Sequence, residues 1–268
     1  MPTAPQTVDS VYFAGDPHGV FDPLNRCARR DRPNALVLLG DYDLDVPLDR
    51  AVAPAREATE VYWIHGNHDV DRESYYTSLF ESELTDRCIH GRVVDIHGLR
   101  IAGLGGHFQG RIWHPDENNG VPRFARRRDY LRAVPRNRRW RDGLPLKARA
   151  AIWWEDFEAL WDQAADILVS HEAPSCHPMG FRLIDDLALA MGAHTIVHGH
   201  HHVGYTFRYR DEPLTAIGVG LAGVTSGAGR MCEPGQRDWQ DTPALKRHHR
   251  QGPYLPAGDL RTIEECEA

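Results

Sequence analysis

The sequence has few cysteines and no long apolar segment. Its five cysteines are widely spaced among 268 residues, odd in number and without a Cys-x-x-Cys pair. Neither a disulfide framework nor a cysteine zinc site is therefore indicated. No apolar run approaches the roughly 18 residues of a membrane span, and the first residues lack the basic start and apolar stretch of a secretory signal. These absences predict a cytoplasmic protein with no membrane partner.

Lysine is scarce, and positive charge is unevenly distributed along the chain. The net charge is −7, and only two of the 31 basic residues are lysines. This balance argues against a chain that is basic throughout, as many non-specific nucleic-acid binders are. Residues 111–150 are the exception, because they hold eleven Arg and one Lys against four acidic residues, a local charge of +8. Nucleic acid therefore stays a candidate partner through residues 111–149.

Short apolar runs alternate with stretches of helical periodicity. Strands are predicted at 11–14, 35–39, 61–64, 167–170, 195–197, 205–209 and 215–219, and helices at 23–30, 47–57, 150–161 and 181–190. This alternation predicts βαβ units in an α/β fold with helices on both sheet faces. Residues 92–96 and 99–104 flank the turn His97-Gly98, which predicts a β-hairpin and hence some antiparallel pairing.

The sequence predicts one α/β domain over residues 1–232. Within it, residues 107–149 mix Arg, Pro, Asn and aromatic residues with weak periodicity. We expect this segment, called the insertion below, to be a candidate cap over the site. Residues 233–268 are polar and contain proline, which predicts a largely irregular C-terminal tail.

Polar side chains that can bind metals follow five of the predicted strands. They are Asp16, His18, Asp41, Asn67, His68, His171, His200 and His202. Because the carboxyl ends of strands form the ligand crevice of α/β sheets, we expect these side chains to meet at one site. Mixed imidazole, carboxylate and amide donors suit first-row transition metals. Their number exceeds the needs of one ion, and two ions about 3.5–4 Å apart can support displacement at phosphorus.

The ordered blocks resemble those of the calcineurin-like metallophosphoesterase superfamily. They are Asp-x-His at 16–18, Gly-Asp at 40–41, Gly-Asn-His-Asp at 66–69, the lone His171 and Gly-His-x-His at 199–202. Five blocks in order are far more specific than a single Asp-x-His, and they span about residues 10–220. The resemblance implies an α/β fold that is a four-layer α/β/β/α sandwich with two mixed β-sheets.

The resemblance also implies a set of roles for these residues. Asp16, His18 and His202 would hold one metal, Asn67, His171 and His200 a second, and Asp41 would bridge both. The implied reaction is hydrolysis of a P–O ester bond by in-line attack of a hydroxide shared by two divalent metal ions. Mn²⁺ is the favoured metal, with Fe, Zn or Ni as alternatives. His68 would stay unliganded and would stabilise or protonate the leaving oxygen.

The sequence departs from the phosphoprotein phosphatase branch of this superfamily. That branch usually continues Gly-Asp-x-Val-Asp-Arg-Gly and Gly-Asn-His-Glu, whereas residues 40–45 here read Gly-Asp-Tyr-Asp-Leu-Asp and residue 69 is Asp. The missing arginine disfavours a Ser/Thr protein phosphatase. The acidic residue that orients His68 is left open among Asp43, Asp45 and Asp69.

Other histidines and tryptophans receive less specific predictions. His198 and His201 stand beside ligands and are expected to support them. For His65 and His107, lining the pocket and a plain structural role are both open. The tryptophans at 153, 154 and 161 fall on a predicted helix, which favours core packing over a cofactor site.

The insertion has two interpretations. It is either a solvated, charge-dense segment of an Arg-rich chain, or a cap that binds a substrate phosphate or a nucleic-acid backbone through Arg and stacks aromatic rings on a base. The candidate residues for the second interpretation are Arg126, Arg127, Arg128, Arg136, Arg138, Arg139, Arg141, Trp113, Phe124, Tyr130 and Trp140.

The sequence thus predicts a metal-dependent phosphoesterase with a phosphodiester or nucleotide-type substrate. A nuclease-type enzyme that follows a nucleic-acid backbone with residues 111–149 is one alternative. A non-catalytic interaction scaffold with the same fold is another, and it is disfavoured because every expected ligand position is filled.

Overall fold

The computed structural model describes residues 8–236 and the backbone of a short strand at 255–256. Its strands are β1 (Val11–Ala14), β2 (Ala35–Leu38), β3 (Glu60–Trp63), β4 (Arg92–Ile96), β5 (Leu99–Leu104), β6 (Ile167–Ser170), β7 (Thr195–His198), β8 (Tyr205–Arg208), β9 (Thr215–Gly218), β10 (Val224–Ser226), β11 (Met231–Glu233) and β12 (Leu255–Pro256). Its α-helices are α1 (Asp22–Asp31), α2 (Leu48–Ala51), α3 (Ala53–Arg56), α4 (Glu73–Phe80), α5 (Arg127–Ala133), α6 (Trp154–Trp161) and α7 (Arg182–Ala190).

The strands form two mixed sheets. The first sheet has the order β11-β10-β1-β2-β3, in which β1, β2 and β3 are parallel and β10 pairs antiparallel with β1. The second has the order β12-β8-β9-β7-β6-β5-β4, with β5, β6, β7 and β9 parallel and the β4–β5 hairpin antiparallel. The predicted hairpin is therefore confirmed.

The two sheets pack face to face, and helices cover their outer faces. Alternate side chains of one strand point to opposite faces, so Phe13 lies between the sheets while Tyr12 packs outward against α1. Ile167 and Val169 of β6 meet Phe13 in the central layer. On the outer face of the second sheet, Phe157 of α6 joins the core that α7 completes. The predicted four-layer α/β/β/α sandwich is confirmed.

Several predicted elements differ in detail from the observed ones. The helix predicted at 47–57 is divided into α2 and α3, because Pro54 has no N–H to donate to the preceding turn. The helix predicted at 150–161 begins only at Trp154, because residues 150–152 pair with His107 through backbone hydrogen bonds. Helix α4 and the strands β10 and β11 had no clear signal in the sequence.

The insertion runs between β5 and α6 and packs on the outer face of the second sheet. Its single α-helix, α5, is anchored by Arg127, whose guanidinium donates to both carboxylate oxygens of Asp156 at 2.7 and 2.5 Å. Trp113 and Ala148 are buried in the same core. The insertion is therefore an integral part of the domain.

The domain boundaries remain predictions. Glu233, which the prediction assigned to the tail, ends β11 and pairs with Arg30 of α1 at 2.9 Å. The rest of the predicted tail lies outside the described residues, except for 234–236 and β12. No helix in the described ranges is long and apolar enough to cross a membrane. The cytoplasmic location stays a prediction.

The central layer between the sheets gives a direct test of the packing. Phe13 is 0% exposed there, so Phe13→Ala should lower the free energy of unfolding by about 3–5 kcal/mol through lost burial and a residual cavity. Denaturant titration measures this change. Met179→Ala is the control, because Met179 is 63% exposed and its replacement should leave the midpoint nearly unchanged. Equal stability of the Phe13 variant and the wild type would contradict the observed packing.

Candidate metal centre

The carboxyl ends of five strands converge at one edge of the sandwich. Strands β1, β2 and β3 of the first sheet and β6 and β7 of the second each end directly before a turn that carries the predicted polar residues. Both sets of parallel strands end at the same edge, because His171, which follows β6, contacts Leu39 and Asp41, which follow β2. The fold therefore brings together side chains from residue 16 to residue 202.

One group of donors consists of His18, Asp41 and His202. The Nε2 atoms of the two histidines are 3.1 Å apart, and Asp41 Oδ2 lies 3.9 Å from His18 Nε2. Two imidazole nitrogens that bind one ion at about 2.1 Å stand about 3.0 Å apart at a right angle and about 3.4 Å apart at a tetrahedral angle. His18 Nδ1 donates to Asp43 Oδ2 at 2.9 Å, which leaves Nε2 free to face the group. This arrangement fits a divalent cation.

A second group consists of Asp41, His171 and His200, and Asn67 lies beside it. His171 Nε2 is 3.3 Å from Asp41 Oδ2 and 3.0 Å from Asn67 Oδ1. His171 Nδ1 donates to the carbonyl oxygen of Leu39 at 2.8 Å, so Nε2 faces the other donors. In each of the two groups, one atom from each residue lies within 4.8 Å of the others, and Asp41 belongs to both groups.

Asp16 is placed differently from the other expected ligands. Its two carboxylate oxygens accept the backbone N–H of His200 at 3.0 and 2.9 Å, and Oδ1 lies 3.7 Å from His171 Nδ1. Asp16 is therefore next to the second group and fixes the turn that carries His200. Its expected role beside His18 and His202 stays a prediction, as do the ligand roles of the other six residues.

The turns that carry the ligands have an unusual backbone conformation. Five of the seven expected ligands have positive φ: Asp16, His18, Asp41, His200 and His202. Non-glycine residues adopt this region rarely, and clusters of them are typical of functional sites. Gly66 permits a close approach, because a Cβ there would lie 2.2 Å from Asp41 Oδ1. The turns thus hold these residues in a strained backbone conformation that directs their side chains toward the centre.

Burial and mutual charge set the ionisation of the centre. Burial raises the pKa of Asp16 to about 8, against the opposing effect of His171. Burial also acts to raise the pKa of Asp41, but the adjacent His171 imidazolium lowers it overall. The same carboxylates raise the pKa of His171 to about 10, although burial alone would lower it. The buried carboxylates therefore favour a positive charge beside them, and a bound divalent cation would supply that charge in place of the imidazolium.

His68 stands at the exposed side of the centre, and its partner is a residue that the sequence analysis did not consider. Its backbone N–H donates to Asp41 Oδ1 at 2.8 Å, and its ring Nδ1 donates to Asp71 Oδ2 at 2.8 Å. Burial acts to lower the pKa of His68, but the hydrogen bond to Asp71 and the charge of Asp41 raise it overall. Asp71 is therefore the acidic residue that orients His68.

The three acidic residues proposed for this role have other places, so each of those alternatives is wrong. Asp43 bonds His18, and Asp45 is exposed with no hydrogen-bond partner within residues 8–236. Asp69 is buried and accepts the backbone N–H groups of Asp41, Tyr42 and Gly66. A short 3-10 turn at His68–Val70 brings residue 71 rather than residue 69 under the ring.

Glu172 is a second residue that the sequence analysis missed. It is buried, it accepts the backbone N–H of Phe108 at 3.0 Å, and its Oε2 lies 3.9 Å from His200 Nε2. With His200 and His201 it forms a further group of donors within 4.8 Å. Its position directly after His171, at the end of β6, is the signal that could have found it.

The histidines beside the ligands pack against other side chains around the centre. His198 Nε2 shares a hydrogen bond of 2.6 Å with the hydroxyl of Tyr205, and the ring of His201 stacks on that of His177 at 4.0 Å. His65 is buried against Phe80 and another histidine ring, which favours a packing role. The pKa of His107 falls to about 4 because of burial and the nearby His171.

Most arginines of the insertion already have partners within the chain. Arg126 pairs with Glu158, Arg127 with Glu155 and Asp156, and Arg141 with Glu73 and Glu81, while Arg128 lies 3.8 Å from Asp129. Arg139 donates to two backbone carbonyl oxygens. Of the seven, only Arg136 and Arg138 have side chains without a hydrogen bond or ion pair in the described part of the chain; their backbone groups bond within the turn.

The aromatic residues of the insertion are engaged as well. Trp113 is buried, and its indole N–H donates to the carbonyl oxygen of Gly120 at 2.9 Å, so its predicted stacking on a base is wrong. Tyr130 packs between Phe124 and Trp153, and Trp140 packs on Tyr76 of α4. The predicted packing role of the buried Trp153 is confirmed.

Comparisons with known proteins agree with these motifs. The family model for calcineurin-like phosphoesterase matches residues 10–204. A protein of Haemophilus influenzae, described as "Uncharacterized protein", is 41% identical over 221 residues, which cover 82% of this chain and 94% of that protein. A hypothetical protein from Thermus thermophilus has a crystal structure that is 18% identical, with a TM-score of 0.41, and the match covers 93% of this chain and 88% of that one. With the family model spanning most of its length, this chain belongs to the calcineurin-like phosphoesterase family, whose members are in general metal-dependent phosphoesterases.

Proposed function

We propose that this protein hydrolyses a P–O ester bond with two divalent ions, held by the two donor groups that share Asp41. The observation that supports a pair of ions is the membership of Asp41 in both groups, each within 4.8 Å. A bridging carboxylate between imidazole donors is the arrangement that two-ion hydrolysis requires. Mn²⁺ is the ion we favour, because nitrogen and oxygen donors without thiolate suit it and its availability decides loading.

The residues of the chain prepare the site for an anionic substrate. When bound, the two ions supply Lewis-acid polarisation of the phosphoryl group and an acidified water as the nucleophile. Asp43 and the carbonyl of Leu39 fix the tautomers of His18 and His171, so that both present Nε2 to the centre. His68 stands on the open side, where its side chain is 46% exposed, and gives a proton to the leaving oxygen.

A phosphodiester or nucleotide-type substrate is the class we favour within this reaction. A long nucleic-acid track along residues 111–149 has less support, because five of the seven candidate arginines have a partner within the chain and Trp113 is buried. An arginine that is already paired with a carboxylate contributes less to the binding of a phosphate backbone than an unpaired arginine does. The scaffold alternative has less support still, because the seven expected ligand positions lie together.

The reaction class is tested by activity with added metal. The purified protein with added Mn²⁺ should hydrolyse bis-p-nitrophenyl phosphate, an aryl phosphomonoester, or a cyclic nucleotide in a parallel assay, and a chelator should abolish the activity. Single-stranded DNA serves as the nuclease arm. Degradation of DNA with a steep loss of binding between low and high salt would favour the nuclease alternative. No hydrolysis of any ester by metal-loaded protein would overturn the proposed function.

The shared carboxylate is tested by metal content. Because Asp41 belongs to both donor groups, Asp41→Asn should lower the metal bound at both, whereas His202→Asn should lower it only at the group that contains His18. Elemental analysis after removal of loose metal gives the stoichiometry. His194→Asn is the control, since His194 precedes β7 at the end opposite the centre. Equal metal losses in the Asp41 and His202 variants would count against a bridging role.

The role of His68 is tested separately from metal binding. His68→Asn should lower kcat by roughly 10²–10⁴-fold, the usual contribution of a positioned proton donor. Its metal content should match the wild type, because the His68 ring belongs to neither donor group. If this variant loses both ions, His68 is a ligand and its assignment as proton donor fails.

A further inference from the structure

A chain of three charged side chains links the insertion to His68. Asp71 uses its two carboxylate oxygens separately: Oδ2 accepts from His68 Nδ1 at 2.8 Å, and Oδ1 forms an ion pair with the ammonium group of Lys147. Lys147 lies 76 positions along the chain from Asp71, near the end of the insertion. The position of the His68 ring therefore depends on a residue of the insertion.

Lys147 is held by a well-anchored element. It lies in the 3-10 helix Leu146–Ala150, where Ala148 and Ala150 are fully buried. Its carbonyl oxygen accepts from the Gln109 side chain at 2.8 Å, and the backbone of Ala150 pairs with His107. This element contacts the turn that carries His68. The backbone that carries Lys147 is thus anchored on both sides.

A lysine at position 147 is unusual in a chain whose basic residues are almost all arginines. The chain has 31 basic residues, of which only two are lysines, and the other, Lys246, is outside the described residues. An ammonium group acts as a point charge on one oxygen, whereas a guanidinium would claim both oxygens of a carboxylate. Lysine at this position leaves Oδ2 of Asp71 to His68. Arginine dominates the rest of the insertion.

We propose that Asp71 and Lys147 are positioning residues that hold His68 as the proton donor for esters with an alcohol-type leaving group, such as sugar or nucleoside esters; this inference rests on the proposed function. As the nucleophile oxygen bonds to phosphorus, the P–O bond to the leaving group breaks and its electron pair stays on the leaving oxygen. That oxygen takes the proton of His68 Nε2. His68, protonated on both ring nitrogens before the step, is left as a neutral imidazole, with Nδ1–H still bonded to Asp71.

The leaving group decides how much this device matters. A p-nitrophenolate ion is stable in water and departs without a proton, whereas an alkoxide does not. A firmly oriented proton donor therefore contributes little to p-nitrophenyl esters and much to esters of ordinary alcohols. No residue within 8–236 hydrogen-bonds His68 Nε2, and the side chain of His68 is 46% exposed, so this nitrogen is open to a substrate.

The test compares leaving groups in an Asp71 variant. With phenyl and p-nitrophenyl esters of the phosphate class that the wild type hydrolyses, Asp71→Asn should lower kcat about tenfold or more on the phenyl ester and less than about threefold on the p-nitrophenyl ester. KM and metal content should stay at wild-type values. Asp45→Asn is the matched control, because it removes a nearby exposed carboxylate that does not contact His68. Equal losses on both esters, no loss on either, or loss of metal would overturn the proposal.

A second set of variants tests the contribution of the insertion. Lys147→Met should lower kcat on the phenyl ester with KM unchanged, and Lys147→Arg should not restore the wild-type rate, because a guanidinium would compete with His68 for the second oxygen of Asp71. The double variant with Asp71→Asn should be no slower than Asp71→Asn alone, because both substitutions break one chain. Arg136→Met removes an unpaired charge of the insertion and serves as the control.

A raised KM with unchanged kcat in Lys147→Met would assign Lys147 to substrate binding and overturn the positioning role. Failure of the wild type on every ester is a separate outcome, since it concerns the proposed function itself.

Discussion

The carboxylate of Asp41 is the point on which the rest of the site depends. It lies within reach of both groups of donors, and one of its oxygens accepts the backbone N–H of His68. A carboxylate at 1% exposure needs compensating positive charge, and the surrounding imidazoles concentrate that charge in a small volume. The left-handed backbone at residue 41 and the absence of a side chain at residue 66 both serve this placement.

The sequence was informative wherever a residue's role follows from its distance to a strand end. The five strands before the ligand turns are short apolar runs, so their ends and the polar residues after them could be read directly. The partner of His68 could not, because a tight turn moves Asp69 inward to backbone amides and places Asp71 under the ring. The pairing of Asp71 with Lys147 spans 76 residues and depends on how the insertion folds back. Local pattern carries no signal for such a contact.

The insertion shows how composition alone can suggest a surface that folding then uses internally. Its arginines suggested a phosphate-binding cap, yet most of them pair with carboxylates of α4, α6 or the insertion itself. Its tryptophan at 113 joined the core instead of the surface. Charge density in a sequence does not reveal which ions are paired, because pairing is a property of the tertiary structure.

The division of the ligands between two sheets, held in register by the apolar layer between them, has a consequence for biosynthesis. Asp16 and Asp41 leave the ribosome more than a hundred residues before His171, whose charge stabilises them, as the chain emerges from its amino terminus. If β1, β2 and β3 packed together before β6 was made, these carboxylates would be enclosed without their counter-ion. Asp16 and Asp41 should therefore stay hydrated in the nascent chain until the strands of the second sheet have been synthesised. Burial of these carboxylates then depends on the later part of the polypeptide.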